Sequence, residues 1–139
     1  MSYIRVLFNN CFGHFQFSAA FEEEYSKRTG HPITDISHDS IRCDPDVLAI
    51  FDEKGSEWCS GEGASLDIRT IPSIFEKYWE IDEYAGNETV RICIGDAYAD
   101  ILHVYMEHGC KDIDLLRKQY SDITHAFQLS STIKENISD

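Results

Sequence analysis

The sequence predicts one α+β domain, with a small mixed or antiparallel sheet of about four strands and helices packed on one face. Short stretches of β-forming or alternating apolar and polar residues predict the strands. Longer stretches with apolar residues three and four apart predict the helices, including a pair near the C-terminus. A chain of 139 residues, of which 42% are hydrophobic, is long enough to bury a continuous core.

Four strands are expected. Residues 3–8 (YIRVLF) are rich in β-forming residues, and residues 64–71 (ASLDIRTI) alternate between apolar and polar. Residues 78–82 and 88–94 alternate in the same way. The segment 83–87 between them predicts a hairpin connection of moderate length.

The first two helices are predicted from their ends. Ser18 is a good N-cap for a helix that Gly30 ends. Asp44 followed by Pro45 is typical of a helix start, and Gly55 ends this second helix.

The last third of the chain predicts two more helices. Asp96 is expected to cap a helix that reaches His108, and another helix begins near Ile113. The apolar stripe of the first of these consists of Tyr98, Ile101, Leu102, Tyr105 and Met106. Residues 130–139 predict a flexible acidic tail, so the domain is expected to cover 1–129.

The charge of the chain excludes some classes of partner. The net charge is −13, with 25 acidic and 12 basic residues, so no basic face is expected to bind nucleic acid or an anionic membrane. No apolar stretch reaches 18 residues. The early apolar run is interrupted by Arg5, Asn9 and Asn10, which predicts a chain without a signal peptide.

The five cysteines predict neither a metal site nor a disulfide framework. Their number is odd, their spacings are long and no CxxC pair occurs. Reduced thiols and a cytoplasmic location are therefore expected. No cofactor is predicted.

Four motifs occur in order within residues 3–92. They are Asn9–Gly13 (NNCFG), Arg42–Pro45 (RCDP), Ile71–Pro72 (IP) and Trp79–Glu88 (WEIDEYAGNE). In this order the chain resembles a family of small uncharacterised proteins of phages and large DNA viruses. The resemblance implies a fold and a viral or prophage setting, with the host cytoplasm as location, and it implies no activity.

The chain departs from that family at two positions. His14 occupies the place of a second glycine in the turn, and Ala85 occupies the place of an aspartate in the Glu-Tyr-Asp-Gly motif. Any chemistry carried by that aspartate would be lost here. Residues 96–129 lie outside the resemblance, which covers about two-thirds of the chain.

The turn over residues 9–18 is the leading candidate site. A glycine-containing loop before a helix can present free N–H groups to an anion. The alternative is a structural turn, with Gly13 in the left-handed conformation and Phe12 and Phe15 in the core. The candidate ligand-binding residues are Asn9, Asn10, Gly13, His14, Ser18, Arg42, Trp58 and Tyr84.

Two of these candidates lie outside the turn and also have structural alternatives. Arg42 can bind a phosphate or carboxylate, or it can form a salt bridge. Its candidate salt-bridge partners are Asp44, Asp46 and the acidic loop 83–88. Trp58, in a polar loop, can stack on a ligand or cap the core.

Three functions follow from these residues. The first is a non-enzymatic binder of a small anionic or nucleotide-like ligand at the 9–18 turn. The second is a protein–protein interaction or host-inhibitor module that acts through its acidic surface, with the C-terminal helices mediating assembly, which leaves a homo-oligomer open. The third is a thiol enzyme with Cys11 as nucleophile and His14 as base, for which the sequence identifies no orienting group.

Overall fold

The computed structural model describes residues 2–138 and confirms the α+β class. Its strands are β1 (Tyr3–Asn9), β2 (Leu66–Pro72), β3 (Trp79–Tyr84) and β4 (Asn87–Ile92). They form two separate antiparallel sheets of two strands each, β1 with β2 and β3 with β4. The predicted single sheet of four strands is therefore wrong.

The outer edge of β1 explains why the sheet does not continue there. A neighbouring strand would use the carbonyl of Leu7 and the N–H of Asn9 for its ladder. In this chain the carbonyl of Leu7 accepts a hydrogen bond from Arg42 Nη1 at 3.2 Å, and the N–H of Asn9 donates to Glu88 Oε1 at 2.7 Å. Two side chains thus occupy the backbone groups through which another strand would pair.

Five helices accompany the strands: α1 (Ala19–Thr29), α2 (Pro45–Lys54), α3 (Ser56–Cys59), α4 (Ile94–Glu107) and α5 (Ile113–Ser138). Short 3₁₀ turns cover Ile33–Asp35, Ser40–Cys43 and Ser73–Phe75. The predicted ends of the first two helices are confirmed. The Ser18 hydroxyl accepts the N–H of Phe21, and Asp44 accepts the N–H groups of Asp46 and Val47.

The hairpin connection between β3 and β4 is shorter than predicted. It consists of the two residues Ala85 and Gly86, both with positive φ (50° and 83°). Two positive φ values are the signature of a type I′ turn, whose twist matches that of the flanking strands. The strands therefore extend further into residues 83–87 than expected.

The helix α4 differs from its prediction in two ways. It begins two residues before Asp96, which lies in its first turn and does not act as its cap. Its predicted stripe also splits, because Leu102 and Met106 are exposed. Tyr98, Ile101 and Tyr105 are half-buried.

The last helix, α5, runs to Ser138. Residue 139 of the predicted flexible tail, 130–139, lies outside the described residues, and the flexibility of this tail stays a prediction. Leu116 of α5 is buried, whereas Ile113 and Leu115 are exposed.

The chain divides into two compact units. Unit 1 comprises Met1–Ile4, Thr70–Glu80 and Arg91–Asp139, and unit 2 comprises Arg5–Arg69 and Ile81–Val90. Each unit contains more than one segment of the chain. Whether they act as one domain over 1–129 stays a prediction.

Unit 2 contains a continuous hydrophobic core between β1, β2 and the helices α1 to α3. Phe17 and Phe21 stack with ring centroids 4.1 Å apart, and the rings are nearly parallel. The members of this core are Leu7, Phe17, Phe21, Tyr25, Ile33, Ile41, Val47, Leu48, Ile50, Cys59 and Leu66. In unit 1, α4 packs against α5, and Tyr98 stacks on Tyr120 at 4.8 Å.

Candidate functional site

Three backbone turns of unit 2 meet in what we call the glycine junction, formed by residues 11–16, 61–64 and 85–86. The N–H of Gly13 donates to the carbonyl of Ala85 at 3.1 Å, and the N–H of His14 donates to the carbonyl of Gly63 at 3.2 Å. A Cβ on Gly86 would overlap the Gly13 carbonyl, and a Cβ on Gly13 would overlap the Gly63 carbonyl. The close approach of the three turns therefore requires glycine.

The side chain of Asn9, at the end of β1, forms hydrogen bonds to residues of the junction and beside it. This residue is fully buried. Its Nδ2 donates to the carbonyls of Gly86 (2.8 Å) and Cys11 (3.1 Å), and its Oδ1 accepts the N–H of Ser65 at 2.8 Å. Both amide hydrogens of this predicted ligand residue are therefore used within the fold.

Arg42 forms a buried ion pair with Glu88. Arg42 Nη1 lies 2.6 Å from Glu88 Oε1 and Nη2 lies 2.9 Å from Oε2, which is a bidentate geometry. Arg42 is 3% exposed, and its guanidinium carbon also lies over the ring of Phe15, 3.9 Å from the ring centroid. Of the two alternatives for Arg42, the contacts are those of the salt bridge, with the 83–88 segment as partner.

Two aromatic side chains project from the junction. Phe12 and Tyr84 form an edge-to-face pair with ring centroids 6.3 Å apart. Phe12 is 68% exposed and Tyr84 is 78% exposed, the two highest values among the described large hydrophobic residues. The predicted burial of Phe12 in the core is therefore wrong, because the turn directs this ring outward.

The segments that form the junction are acidic. Residues 9–16, 60–67 and 81–88 contain no Lys or Arg. Their acidic residues are Glu62, Asp67, Asp82, Glu83 and Glu88. Glu88 is neutralised by Arg42, and Glu62, Asp67 and Glu83 are exposed. The segments that carry and adjoin the aromatic pair are therefore negatively charged at their surface.

The predicted anion site has few free donors. Gly13 and His14 use their N–H groups within the junction, and Ser18 caps α1 while its hydroxyl contacts the carbonyl of Trp58 at 2.7 Å. Asn10 is exposed, and its Nδ2 lies 3.4 Å from Asp67 Oδ2. Ligand binding at the 9–18 turn stays a prediction, and these contacts do not favour it.

Cys11 and His14 make separate contacts. The Cys11 thiol donates to Asn9 Oδ1 at 3.4 Å and to the Gly63 carbonyl at 3.5 Å. His14 Nε2 is paired with Gln16 Oε1. The nucleophile–base hydrogen bond that a thiol enzyme needs is absent from the described contacts of these two side chains.

Trp58 lies on α3 and not in a polar loop. Its ring packs against the core of unit 2, and Lys54 Nζ lies 5.2 Å from the ring centroid. Neighbouring Cys59 is fully buried, and burial raises the pKa of its thiol to about 11 although Lys54 opposes the shift. Of the predicted ligand residues, Ser18 and Trp58 are thus joined to each other by the hydrogen bond from the Ser18 hydroxyl to the Trp58 carbonyl.

Sequence reasoning did not identify three residues at or beside the junction. It places Phe12 in the core, it treats Glu88 as one member of an acidic loop, and it gives Gly86 no role beyond the hairpin connection. A partial signal was available in Gly86 itself, because glycine is favoured at the second position of a two-residue type I′ turn, although Ala85 is not one of the residues favoured at the first. The pairing of Arg42 with Glu88 joins positions 46 residues apart, which no local pattern reveals.

Among residues 2–138, no group of three or more His, Cys, Asp or Glu side chains is arranged to hold a metal ion. No helix in the same part of the chain is long and apolar enough to cross a membrane.

Comparison with known proteins found no matching family model, no matching curated protein and no matching solved structure. The resemblance to phage and viral proteins therefore stays a prediction.

Proposed function

We propose that this chain is a protein-interaction module that binds a basic segment of a partner protein at the glycine junction. The observation that carries the proposal is the pairing of two exposed aromatic rings, Phe12 and Tyr84, on turns that are joined by a backbone hydrogen bond. Aromatic anchors that are exposed in the free protein and held in place are typical of interface hot spots.

The charge around the pair favours a basic partner. The exposed carboxylates of Glu62, Asp67 and Glu83 attract Lys and Arg, and an Arg guanidinium can stack on an aromatic face. Joining the two turns adds to affinity, because the backbone that carries the rings loses little conformational freedom on binding. Gly13 and Ala85, which flank the two rings, are held together by a backbone hydrogen bond of 3.1 Å.

Binding of labelled oligoarginine and of oligolysine of equal length, followed by fluorescence anisotropy, tests the proposal. Attraction by net charge alone would treat the two peptides alike, whereas stacking on aromatic rings favours the planar guanidinium. We expect oligoarginine to bind more tightly, and we expect Tyr84→Ala to weaken its binding about tenfold.

Two control variants isolate the aromatic pair from general attraction. Tyr3→Ala removes another exposed aromatic residue, 47% exposed, and should leave oligoarginine binding unchanged. Glu83→Gln keeps an oxygen acceptor for the Gly86 N–H and removes one charge, so it should reduce the salt dependence of binding. Equal binding by wild type and by Phe12→Ala with Tyr84→Ala would overturn the proposal.

A further inference from the structure

The register of the β3–β4 hairpin determines which backbone groups of β3 are used by β4. The two-residue turn Ala85–Gly86 places Tyr84 opposite Asn87. At the other end of the hairpin, the N–H of Cys93 donates to the carbonyl of Tyr78 at 2.7 Å, which continues the same register. In an antiparallel pair, every second residue exchanges hydrogen bonds with the neighbouring strand, and the residues between them point their backbone groups the other way. The even-numbered residues of β3 therefore bond to β4, and the odd-numbered ones face the outer edge.

The outer edge of β3 is open at Ile81 and Glu83, which both belong to unit 2. Within residues 2–138, β3 pairs with β4 and with no other strand, and the outward N–H and carbonyl groups of these two residues form no further backbone hydrogen bond. On the outer edge of β4, by contrast, the carbonyl of Val90 accepts a hydrogen bond from Arg69 Nη1. Two donors and two acceptors of β3 are thus available to an added strand.

Charge decides which kind of segment can add to this edge. Unit 2 has 15 acidic and 6 basic residues, so its net charge is −9. Glu83 is exposed, and its Oε1 accepts the N–H of Gly86 at 2.8 Å, a contact that leaves the negative charge in place. Two copies of unit 2 repel each other, which disfavours pairing of β3 with a second copy, whereas a basic segment is attracted.

The pleat of β3 sets the pattern of side chains that the added segment needs. Asp82 and Tyr84 are exposed and share one face of the strand. In an antiparallel addition, the incoming residues that bond to Ile81 and Glu83 point to the opposite face, and the residues between them lie across from Asp82 and Tyr84. A basic residue at every second position therefore lies on the face of the Tyr84 ring, where an Arg guanidinium can stack.

We propose that the basic partner binds as an extended segment that adds antiparallel to the outer edge of β3, with a basic residue at every second position. The backbone groups of Ile81 and Glu83 supply main-chain hydrogen bonds, and Tyr84 selects the side chains, as in other cases of strand addition. This inference rests on the function proposed above, because it specifies how the segment is held beside the aromatic pair.

Two N-methylated peptides test the proposal without changing the protein. In a peptide of alternating Arg and Thr, the Thr amides donate to the carbonyls of Ile81 and Glu83, and the Arg amides point away. Methylation of the Thr amides should weaken binding at least about tenfold, measured by fluorescence anisotropy. The matched control carries the same number of methyl groups on its Arg amides and should bind within about threefold of the unmodified peptide.

A pair of variants tests the same edge from the side of the protein. Glu83→Pro removes the outward N–H and leaves the ladder to β4 intact, because proline is tolerated at such positions of an edge strand. Its control is Glu83→Ala, which loses the same carboxylate and keeps the N–H. We expect Glu83→Pro to bind the alternating peptide about tenfold more weakly than Glu83→Ala. Circular dichroism shows whether both variants are folded.

The outcomes separate this inference from the function on which it rests. Oligoarginine binding that is weakened by Tyr84→Ala, together with equal binding of the two methylated peptides, would overturn strand addition and leave the basic partner in place. Failure of every basic peptide to bind would overturn both. Weaker binding of the Arg-methylated peptide would contradict the antiparallel register. A dimer in sedimentation that Glu83→Pro abolishes and Glu83→Ala does not would show that a second copy occupies the edge, which would also overturn the proposal.

Discussion

The two units of this chain differ in what they bury and what they expose. Among the residues whose burial the structure describes, unit 2 contains 13 of the 20 buried hydrophobic ones, together with the buried Arg42–Glu88 pair and Asn9. Among the same residues, unit 1 contains the other seven and eight of the ten exposed large hydrophobic ones. The remaining two exposed residues are Phe12 and Tyr84, both at the glycine junction of unit 2.

This difference shows that polarity alone does not decide which side chains are inside. Unit 2 buries a charged pair because each charge is matched, and the Leu7 carbonyl and the Asn9 N–H beside the pair are hydrogen-bonded to it. In the described part of unit 1, α4 leaves Leu102 and Met106 exposed. Contiguous exposed apolar residues mark interaction sites, and Phe12 and Tyr84 of unit 2 are such a contiguous pair.

The tryptophans allow the units to be studied separately, because Trp58 lies in unit 2 and Trp79 lies in unit 1. A Trp→Phe change at either position leaves a fluorescence reporter in the other unit. The predictions below are stated for the unit in which the changed residue lies.

The largest expected effect is the loss of the buried ion pair in unit 2. Glu88→Ala leaves the Arg42 guanidinium without its carboxylate partner and the Asn9 N–H without its acceptor. Removing one partner of a buried pair costs about 3–5 kcal/mol of unfolding free energy. Urea unfolding followed by Trp58 fluorescence measures this loss. The control Asp52→Ala breaks the exposed Arg5–Asp52 pair and should cost much less; equal losses would show that the buried pair has no special importance.

The next effect concerns the close approach at the glycine junction. Gly30→Ala, at φ 81° with open space around the added Cβ, should cost about 1 kcal/mol through backbone strain alone. Gly86→Ala has a similar φ of 83° and also overlaps Gly13, so we expect a further loss of about 1–3 kcal/mol. Chemical denaturation compares the two variants, and equal losses would mean that the junction opens without cost.

A smaller effect is the pH dependence that Cys59 contributes to unit 2. Burial raises the pKa of this thiol from 9.0 to about 11, so the folded state holds the proton more tightly than the unfolded state. Its contribution to the unfolding free energy is complete below pH 9 and is lost as the pH rises towards 11. The stability difference between wild type and Cys59→Ala should therefore shrink over that range. A constant difference would contradict the prediction.

The smallest expected effect lies in unit 1. Leu102→Ala removes an exposed side chain of α4 and should change the stability of the dilute chain by less than about 0.5 kcal/mol, measured by Trp79 fluorescence. Leu66→Ala, at a leucine that is 1% exposed in unit 2, should cost about 2–5 kcal/mol when Trp58 is the reporter. A large loss for Leu102→Ala would show that the Leu102 side chain packs within the folded chain and is not exposed.

The sequence predicted local features well and distant contacts poorly. Ser18, Asp44 and their helices were predicted because a cap bonds N–H groups two or three residues away. The hairpin was predicted in place but with a longer connection. The four-strand sheet was wrong, because the edge of β1 is closed by Arg42 and Glu88, which lie 35 and 79 residues from the backbone groups that they bond.

The α4 helix shows the same limit in another form. Its 3.6-residue periodicity predicted an apolar stripe, and the helix exists, but periodicity cannot say how wide a face the neighbouring elements will cover. The neighbouring elements half-bury Tyr98, Ile101 and Tyr105, whereas Leu102 and Met106 are exposed. Exposure depends on the packing partners, which are remote in the sequence.

By itself the sequence determined the α+β class, the strong negative charge, the capped helices and the positions of the turns, because these depend on composition and on residues a few positions apart. Only the tertiary structure decided that Arg42 is a buried partner of Glu88, that Phe12 and Tyr84 meet outside, and that α4 keeps an uncovered stripe. Each of these results depends on segments that are far apart in the chain and are brought together by the burial of one hydrophobic core or the packing of two helices.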